Sequence, residues 1–129
     1  MTQHLALIAI VVPDYDAGIA FFVGQMGFTL FEDTALENGK RWVRVGPPGA
    51  QTAFLLAKAV GTEQVAAIGQ QGGGRVWLFL QTDDFARDYA AMTAKGVTFE
   101  EAPRDEPYGT VAVFRDPFGN RWDLIQFRN

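Results

Sequence analysis

The sequence predicts an α+β fold made of two βαβββ modules in tandem. Each half of the chain contains several strand-like apolar runs and one amphipathic helix near its start. The two halves also align at an offset of 70 residues, which places Asp14-Tyr15 on Asp84-Phe85 and Pro47-Pro48-Gly49 on Pro117-Phe118-Gly119. These observations indicate an internal duplication within a single domain of 129 residues, a length sufficient to bury a hydrophobic core.

The first module is predicted over residues 1–58, in the order strand, helix and three strands. The Ile- and Val-rich run Leu5–Val12 ends at Pro13, as expected for a buried strand. Asp14 suits the start of a helix, and Gly27 suits its end. Apolar alternation then predicts strands over residues 28–32, 40–45 and 52–57.

The second module is predicted over residues 75–129 and repeats this order. A strand over residues 75–81 is followed by a helix that Asp83-Asp84 begins and Gly96 ends. Further strands are predicted over residues 97–100, 110–114 and 121–127, with a tight turn at residues 116–120. Residues 59–74 form the linker, in which a short helix is possible and three consecutive glycines provide a flexible entry to the second module.

Composition excludes several classes of function. The chain has no cysteine and one histidine, which excludes a disulfide scaffold, a thiolate zinc site and a cysteine nucleophile. A formal net charge of −4 argues against binding to a nucleic-acid backbone, which requires a clustered basic surface. The apolar run near the N-terminus is too short to span a bilayer. We therefore expect a cytoplasmic protein with neither a membrane nor a nucleic acid as partner.

Two motifs carry a resemblance to a known family. One is D-x-x-x-x-I-x-F-F followed by G-F over Asp14–Phe28, and the other is D-P-x-G-N-x-x-[DE]-L over Asp116–Leu124. With the duplicated βαβββ order, the chain resembles the vicinal oxygen chelate superfamily of glyoxalase I, bleomycin resistance proteins and extradiol dioxygenases. The resemblance implies a cupped, barrel-like mixed sheet around a small-molecule cavity, and a homodimer.

Catalytic members of this superfamily hold a divalent metal ion with one side chain from the first and last strand of each half. Carried over to this sequence, the first-strand positions are Leu7 and Trp77, seven residues before the aspartate that begins each helix. The last-strand positions are Asp123 and, depending on a gap, either Ala53 or Phe54. One carboxylate does not hold a transition metal tightly, so the resemblance implies a site without the family's metal. His4 is a weak additional ligand candidate, because alternation places it on the opposite strand face from Leu7 and an exposed terminal histidine is the simpler interpretation.

The same positions would instead line an apolar and aromatic pocket around Asp123, a composition typical of sites for planar organic molecules. Trp77 and Phe79 could stack on an aromatic ligand or simply fill the core. Strand alternation and the resemblance together suggest the following lining: Leu5, Leu7, Ala9, Trp42 or Arg44 according to register, Ala53 or Phe54, Trp77, Phe79, Gln81, Arg121 and Ile125.

Polar residues suggest more specific roles. Burial should raise the pKa of Asp123 unless it is paired, so this carboxylate could act as a general base or hold a cationic ligand group. The alternative is an ion pair with Arg121 or Arg44. In the polar stretch 102–109, Arg104 could anchor a ligand carboxylate or phosphate and Tyr108 could cover the pocket, or Arg104 could be salt-bridged within a connecting loop.

We therefore predict a protein that binds a small, partly aromatic organic molecule, with no cofactor. The alternative is an enzyme of the same superfamily, a lyase, isomerase or dioxygenase that uses a divalent metal ion bound by Asp123. The residues leave open whether the chain catalyses a reaction, because function depends on the site and not on the scaffold.

Overall fold

The computed structural model describes residues 2–129, which divide into two compact units between Ile68 and Gly69. Each unit contains its own mixed sheet, and each first strand runs parallel to the last strand of its unit. The predicted α+β class with repeated βαβββ order is therefore confirmed. Within the described residues neither sheet closes into a barrel.

The first unit forms a four-stranded sheet within the described residues. The elements are β1 Leu7–Val12, α1 Tyr15–Ile19 with the π-helical Ala20–Gln25, β2 Thr29–Ala35, a 3-10 turn Glu37–Gly39, β3 Arg41–Gly46, β4 Ala53–Lys58 and α2 Gly61–Ala67. The strand order in the sheet is β1-β4-β3-β2, with β1 parallel to β4 and the other neighbours antiparallel. The helix α1 connects β1 to β2 and continues for one turn as a π-helix.

Local chemistry determines where α1 begins and how closely it packs. The Asp14 carboxylate accepts a hydrogen bond from the backbone N–H of Ala17 at 2.7 Å, which satisfies a donor at the helix start. After the helix, Gly27 adopts a φ of +78°, a conformation that favours glycine. Gly18 lets the helix approach the sheet, since a Cβ at this position would lie 2.7 Å from Cδ1 of Leu56.

The second unit has a five-stranded sheet and one helix. The elements are β5 Val76–Gln81, α3 Phe85–Ala94, β6 Thr98–Phe99, β7 Arg104–Glu106, β8 Gly109–Arg115 and β9 Arg121–Phe127. The strand order in the sheet is β5-β9-β8-β6, with β7 paired to β8. The helix α3 contacts β9, and its first turn is capped by the Asp84 carboxylate, which accepts from the backbone N–H of Arg87 at 3.0 Å.

The sequence prediction of a connecting loop over residues 102–109 is wrong in one respect. Arg104–Glu106 forms a strand that pairs antiparallel with the start of β8, with Arg104 opposite Val111 and Glu106 opposite Gly109. Three charged residues have no apolar alternation, so no local pattern predicts this strand. Its pairing depends on a hairpin partner further along the chain.

Each sheet has one face covered by its own helix, and we call the opposite face of the sheet the distal face. In the first unit the helix-covered face includes Ile10, Val12 and Leu56, all buried. In the second unit it includes Phe114, Trp122 and Leu124, which are also buried. Within residues 2–129 no helix has the length and apolar content needed to cross a membrane.

Candidate functional site

Strand register places several predicted site residues on the distal face of the second unit. Phe79 on β5 lies directly beside Asp123 on β9, and Asp123 lies opposite Val113 on β8. Alternation along β9 puts Arg121 on this same face, while Trp77 adjoins it at the register shift of β5. Phe79 is 64% exposed, so its ring is available on the surface of this face.

The distal face of the first unit carries the remaining strand candidates. Leu7 on β1 lies beside Ala53 on β4, and Arg44 on β3 lies opposite Leu55. The sequence offered Trp42 or Arg44 as lining residues, according to register. Trp42 is two residues from Arg44 on the same strand, so both side chains lie on this distal face. Trp42 is partly exposed, and the Arg44 guanidinium carbon lies 5.8 Å from the ring centre of Phe31.

Phe54 does not belong to this distal face. It lies beside Ile8 on β1 and opposite Val45, which is buried on the helix-covered face. Its ring stacks with those of Phe22 and Phe28, with ring centres 6.3 Å and 6.4 Å apart. Of the two alternatives that the sequence left open, Ala53 therefore shares a face with Leu7 and Phe54 does not.

Asp123 is a buried carboxylate that lacks a bonding partner for one oxygen. The residue is 8% exposed, and its Oδ1 atom is buried without a hydrogen bond to any described residue. Burial raises the pKa of the Asp123 carboxyl above its ordinary value, while the charge of Arg104 lowers it, that of Glu101 raises it and that of Arg121 lowers it. Such a group can accept a hydrogen bond from a ligand, or hold a proton at neutral pH more readily than an exposed aspartate.

The expected ion pair of Asp123 with Arg121 is not formed, and Arg44, the other candidate partner, is paired within its own unit. The Nε atom of Arg121 lies 2.9 Å from Oε2 of Glu100, and one of its terminal nitrogens donates to the carbonyl of Gly74. The Nε atom of Arg44 lies 3.1 Å from Oε1 of Glu32, and Oε2 of Glu32 accepts a hydrogen bond from the Thr34 hydroxyl. These two bonds lower the pKa of Glu32. Both arginines are thus engaged with glutamates on their own sheets.

Arg104 is salt-bridged, which agrees with the simpler of its two interpretations. Its Nε donates to both carboxylate oxygens of Glu101 at 3.1 Å and 3.0 Å, and Nη1 donates to Glu106 at 3.0 Å. An anionic ligand would have to compete with these two carboxylates. Tyr108 lies in the turn between β7 and β8 and is about half exposed, and its carbonyl accepts from the backbone N–H of Arg128.

The residues present do not fit the divalent metal that the superfamily implies. The four carried-over positions hold Leu7, Ala53, Trp77 and Asp123, of which only the last has a donor atom suited to a metal. His4 lies before β1 and is exposed. Within residues 2–129 no three His, Asp or Glu side chains are grouped as a metal site requires.

The raised pKa of Asp123 leads to a pH-dependent prediction for stability. Between its ordinary pKa and the raised one, the folded chain binds more protons than the unfolded chain, so the contribution of Asp123 to stability falls as pH rises through the folded pKa. We expect Asp123→Asn to raise the free energy of unfolding by about 1 kcal/mol at neutral pH. The higher stability of Asp123→Asn should disappear at a pH below the ordinary aspartate pKa. Urea denaturation of both proteins at neutral pH and at this acidic pH would measure the difference.

Asp105→Asn is the matched control, because Asp105 is an exposed carboxylate of the same unit that pairs with Thr110 on the opposite face. Its free energy of unfolding should change by less than about 0.5 kcal/mol at either pH. A parental protein that is more stable than Asp123→Asn at neutral pH would contradict the interpretation of Asp123 as an uncompensated buried carboxylate.

Sequence reasoning missed the glutamates that complete both distal faces. In the second unit Glu100 binds Arg115 and Arg121, and Glu101 binds Arg104. In the first unit Glu32 binds Arg44. Alternation along the predicted strand over residues 97–100 could have placed Glu100 on the distal face. Alternation would have placed Glu32 on the helix-covered face with Leu30, and a bulge between these two residues moves Glu32 to the distal face. The choice of their arginine partners required the register between strands.

Comparisons with known proteins cover nearly the whole chain. A family model described as Glyoxalase/Bleomycin resistance protein/Dioxygenase superfamily matches residues 4–124. An uncharacterized protein of Shewanella frigidimarina is 51% identical over 131 residues, covering 100% of this chain and 97% of that protein. The solved structure of UcmS2 has a TM-score of 0.82 at 29% identity, covering 97% of this chain and 98% of that one. TnmS3, an antibiotic binding protein from Streptomyces sp. CB03234, has a TM-score of 0.81 at 32% identity, with 98% of each chain covered.

Proposed function

The chain belongs to the Glyoxalase/Bleomycin resistance protein/Dioxygenase superfamily, and on this basis we propose that it binds a small, planar, partly aromatic organic molecule without the family's metal ion. The observation that carries this proposal is that Phe79 on β5 and Asp123 on β9 are direct neighbours on the distal face of the second unit. Phe79 presents an exposed ring, and Asp123 beside it has an oxygen without a partner among the described residues. An aromatic surface with one directional polar group is the usual composition of a site for a planar ligand.

The similarity to TnmS3 supports a binding function. That protein is an antibiotic binding protein, and the two chains align over 98% of their lengths. We propose that this chain likewise sequesters an organic compound, for which a rigid aromatic surface suffices and no reacting group is required. Antibiotics are one class of compound to test, and the exposed aromatic ring favours members that contain fused rings.

The donor set supports the proposal of binding without a metal. A Lewis-acid mechanism needs several side-chain ligands that leave coordination sites open for the substrate. Leu7, Ala53 and Trp77 at the carried-over positions cannot ligate, so we do not propose the metal-dependent lyase, isomerase or dioxygenase activity. Asp123 is instead assigned to direct contact with the ligand.

We also propose that the protein is a cytoplasmic homodimer. Phe79 and Phe127 both lie on the distal face of the second unit. They are 64% and 49% exposed, respectively. Two exposed aromatic rings on one sheet face support the proposal of an interaction surface there. A second copy of the chain, together with ligand, would cover them.

The proposal is tested by titrating the protein with acridine, a neutral tricyclic aromatic probe, and following its fluorescence. We expect saturable binding, which Phe79→Ala weakens about fivefold to tenfold through loss of the stacking surface. Because Phe79 is largely exposed, this variant should retain the stability of the parental protein.

Leu36→Ala is the control, since it removes a half-exposed apolar side chain that precedes the 3-10 turn of the first unit. Its affinity for acridine should equal that of the parental protein. Absence of binding by acridine and by its cationic derivatives, or equal acridine binding by Phe79→Ala and the parental protein, would contradict the proposed function.

A further inference from the structure

We infer that the ligand carries a positively charged N–H group, which Asp123 binds through its Oδ1 atom while Phe79 contacts the adjoining aromatic ring. The inference rests on the proposed function and specifies the chemical class of its ligand as protonated nitrogen bases with a planar ring system. It requires only residues of the second unit, since Phe79, Asp123 and Val113 are neighbours on adjacent strands of one sheet.

The first argument is the missing hydrogen bond of Asp123. A buried polar atom without a partner destabilises the folded state, and buried polar groups in folded proteins are nearly always bonded. Asp123 is more than nine-tenths buried. Its Oδ1 atom is also buried and accepts no hydrogen bond from the described residues. A donor supplied by a ligand would remove this cost, so the fold favours a ligand that has one.

The second argument is the balance of charge around Asp123. Three arginines project from the strands of this distal face, and each is paired with glutamate: Arg104 with Glu101 and Glu106, and Arg115 and Arg121 both with Glu100. Within this group three glutamates compensate three arginines. Asp123 is then the additional carboxylate, with no cation committed to it among these residues. A cationic ligand would supply the compensating charge, whereas an anionic one would meet a fourth carboxylate.

The third argument is the neighbour of Asp123 on β5. Phe79 is its register partner, and an exposed aromatic ring attracts cations as well as aromatic rings. A planar base whose positive charge is spread over the ring system satisfies both residues at once. Its rings can stack on Phe79 while a ring-bound or exocyclic N–H donates to Asp123, which is a charge-assisted hydrogen bond.

Three tricyclic probes separate charge from hydrogen bonding at neutral pH. Acridine is neutral, N-methylacridinium is cationic without an N–H group, and 9-aminoacridine is cationic with N–H donors. We expect the parental protein to bind 9-aminoacridine roughly tenfold or more tightly than acridine, with N-methylacridinium between them. In Asp123→Asn the ratio of the dissociation constant of acridine to that of 9-aminoacridine should fall to near one.

Asp105→Asn provides the matched control, because it removes the same charge from the opposite face of the same sheet and should keep the tenfold preference. Equal affinity of the parental protein for 9-aminoacridine and acridine would overturn this inference and leave the proposed function in place. Persistence of the preference in Asp123→Asn would also overturn it. Failure of all three probes to bind would overturn the proposed function and this inference with it.

Discussion

Replacing Asp116 with alanine is expected to lower the free energy of unfolding by about 4 kcal/mol. Asp116 is 3% exposed and organises the turn between β8 and β9. Its Oδ1 accepts hydrogen bonds from the backbone N–H groups of Phe118, Gly119 and Asn120, at 3.0 Å to 3.1 Å. Its Oδ2 accepts from the Asn120 side chain and from the indole N–H of Trp122, both at 3.1 Å. Alanine would leave several of these donors buried without an acceptor.

Asp116→Asn separates the two oxygens of this carboxylate. The amide keeps one acceptor for the backbone of the turn but cannot also accept at the position that faces the Trp122 indole. We expect a loss intermediate between that of Asp116→Ala and zero, measured by urea denaturation with the indole fluorescence of Trp122 as one reporter. A loss below about 1 kcal/mol for Asp116→Ala would show that the turn does not depend on this network.

Replacing Phe22 with alanine is expected to cost about 3–5 kcal/mol, the usual range for removing a fully buried aromatic side chain. Phe22 is 0% exposed and lies in the π-helical turn that follows α1. Its ring stacks near those of Phe28 and Phe54 and meets the edge of Phe21, with ring centres 5.9 Å, 6.3 Å and 5.0 Å apart. Thermal or urea denaturation of the purified variant measures the loss.

Val65→Ala is the control for this prediction, because Val65 lies in α2 of the same unit and is more than half exposed. It should change the free energy of unfolding by less than about 0.5 kcal/mol. Equal losses for the Phe22 and Val65 variants would contradict the assignment of the phenylalanine cluster as the core of the first unit.

Much of the fold could be predicted because the signals are local. Asp14 and Asp84 cap the two helices they were expected to begin, since a carboxylate two or three residues from free backbone N–H groups acts within its own segment. Strand β1 begins at Leu7 and not at the predicted Leu5, while β9 has the predicted bounds of residues 121–127. The strand at Arg104–Glu106 was missed because its formation depends on pairing with β8.

The candidate site could be predicted only in part. Alternation along a single strand placed Arg121 and Asp123 on one face, because it is a local property, whereas the family resemblance was needed to add Phe79 from another strand. The sequence left Ala53 and Phe54 as alternatives, since the choice depends on register with β1, and register places Phe54 among core rings. It also proposed Arg121 as partner of Asp123, whereas the sheet brings Glu100 to Arg121.

The sequence by itself determined the order of the elements apart from β7, the repeat of that order and the scarcity of metal donors. These follow from composition and from spacing along one segment, so Leu7 and Trp77 cannot ligate a metal however the strands pair. The tertiary structure decided which oxygen of Asp123 lacks a partner and which ring lies beside it. The reason is physical: hydrogen bonds and charge compensation join residues that are distant in the chain, and only strand pairing brings those residues together.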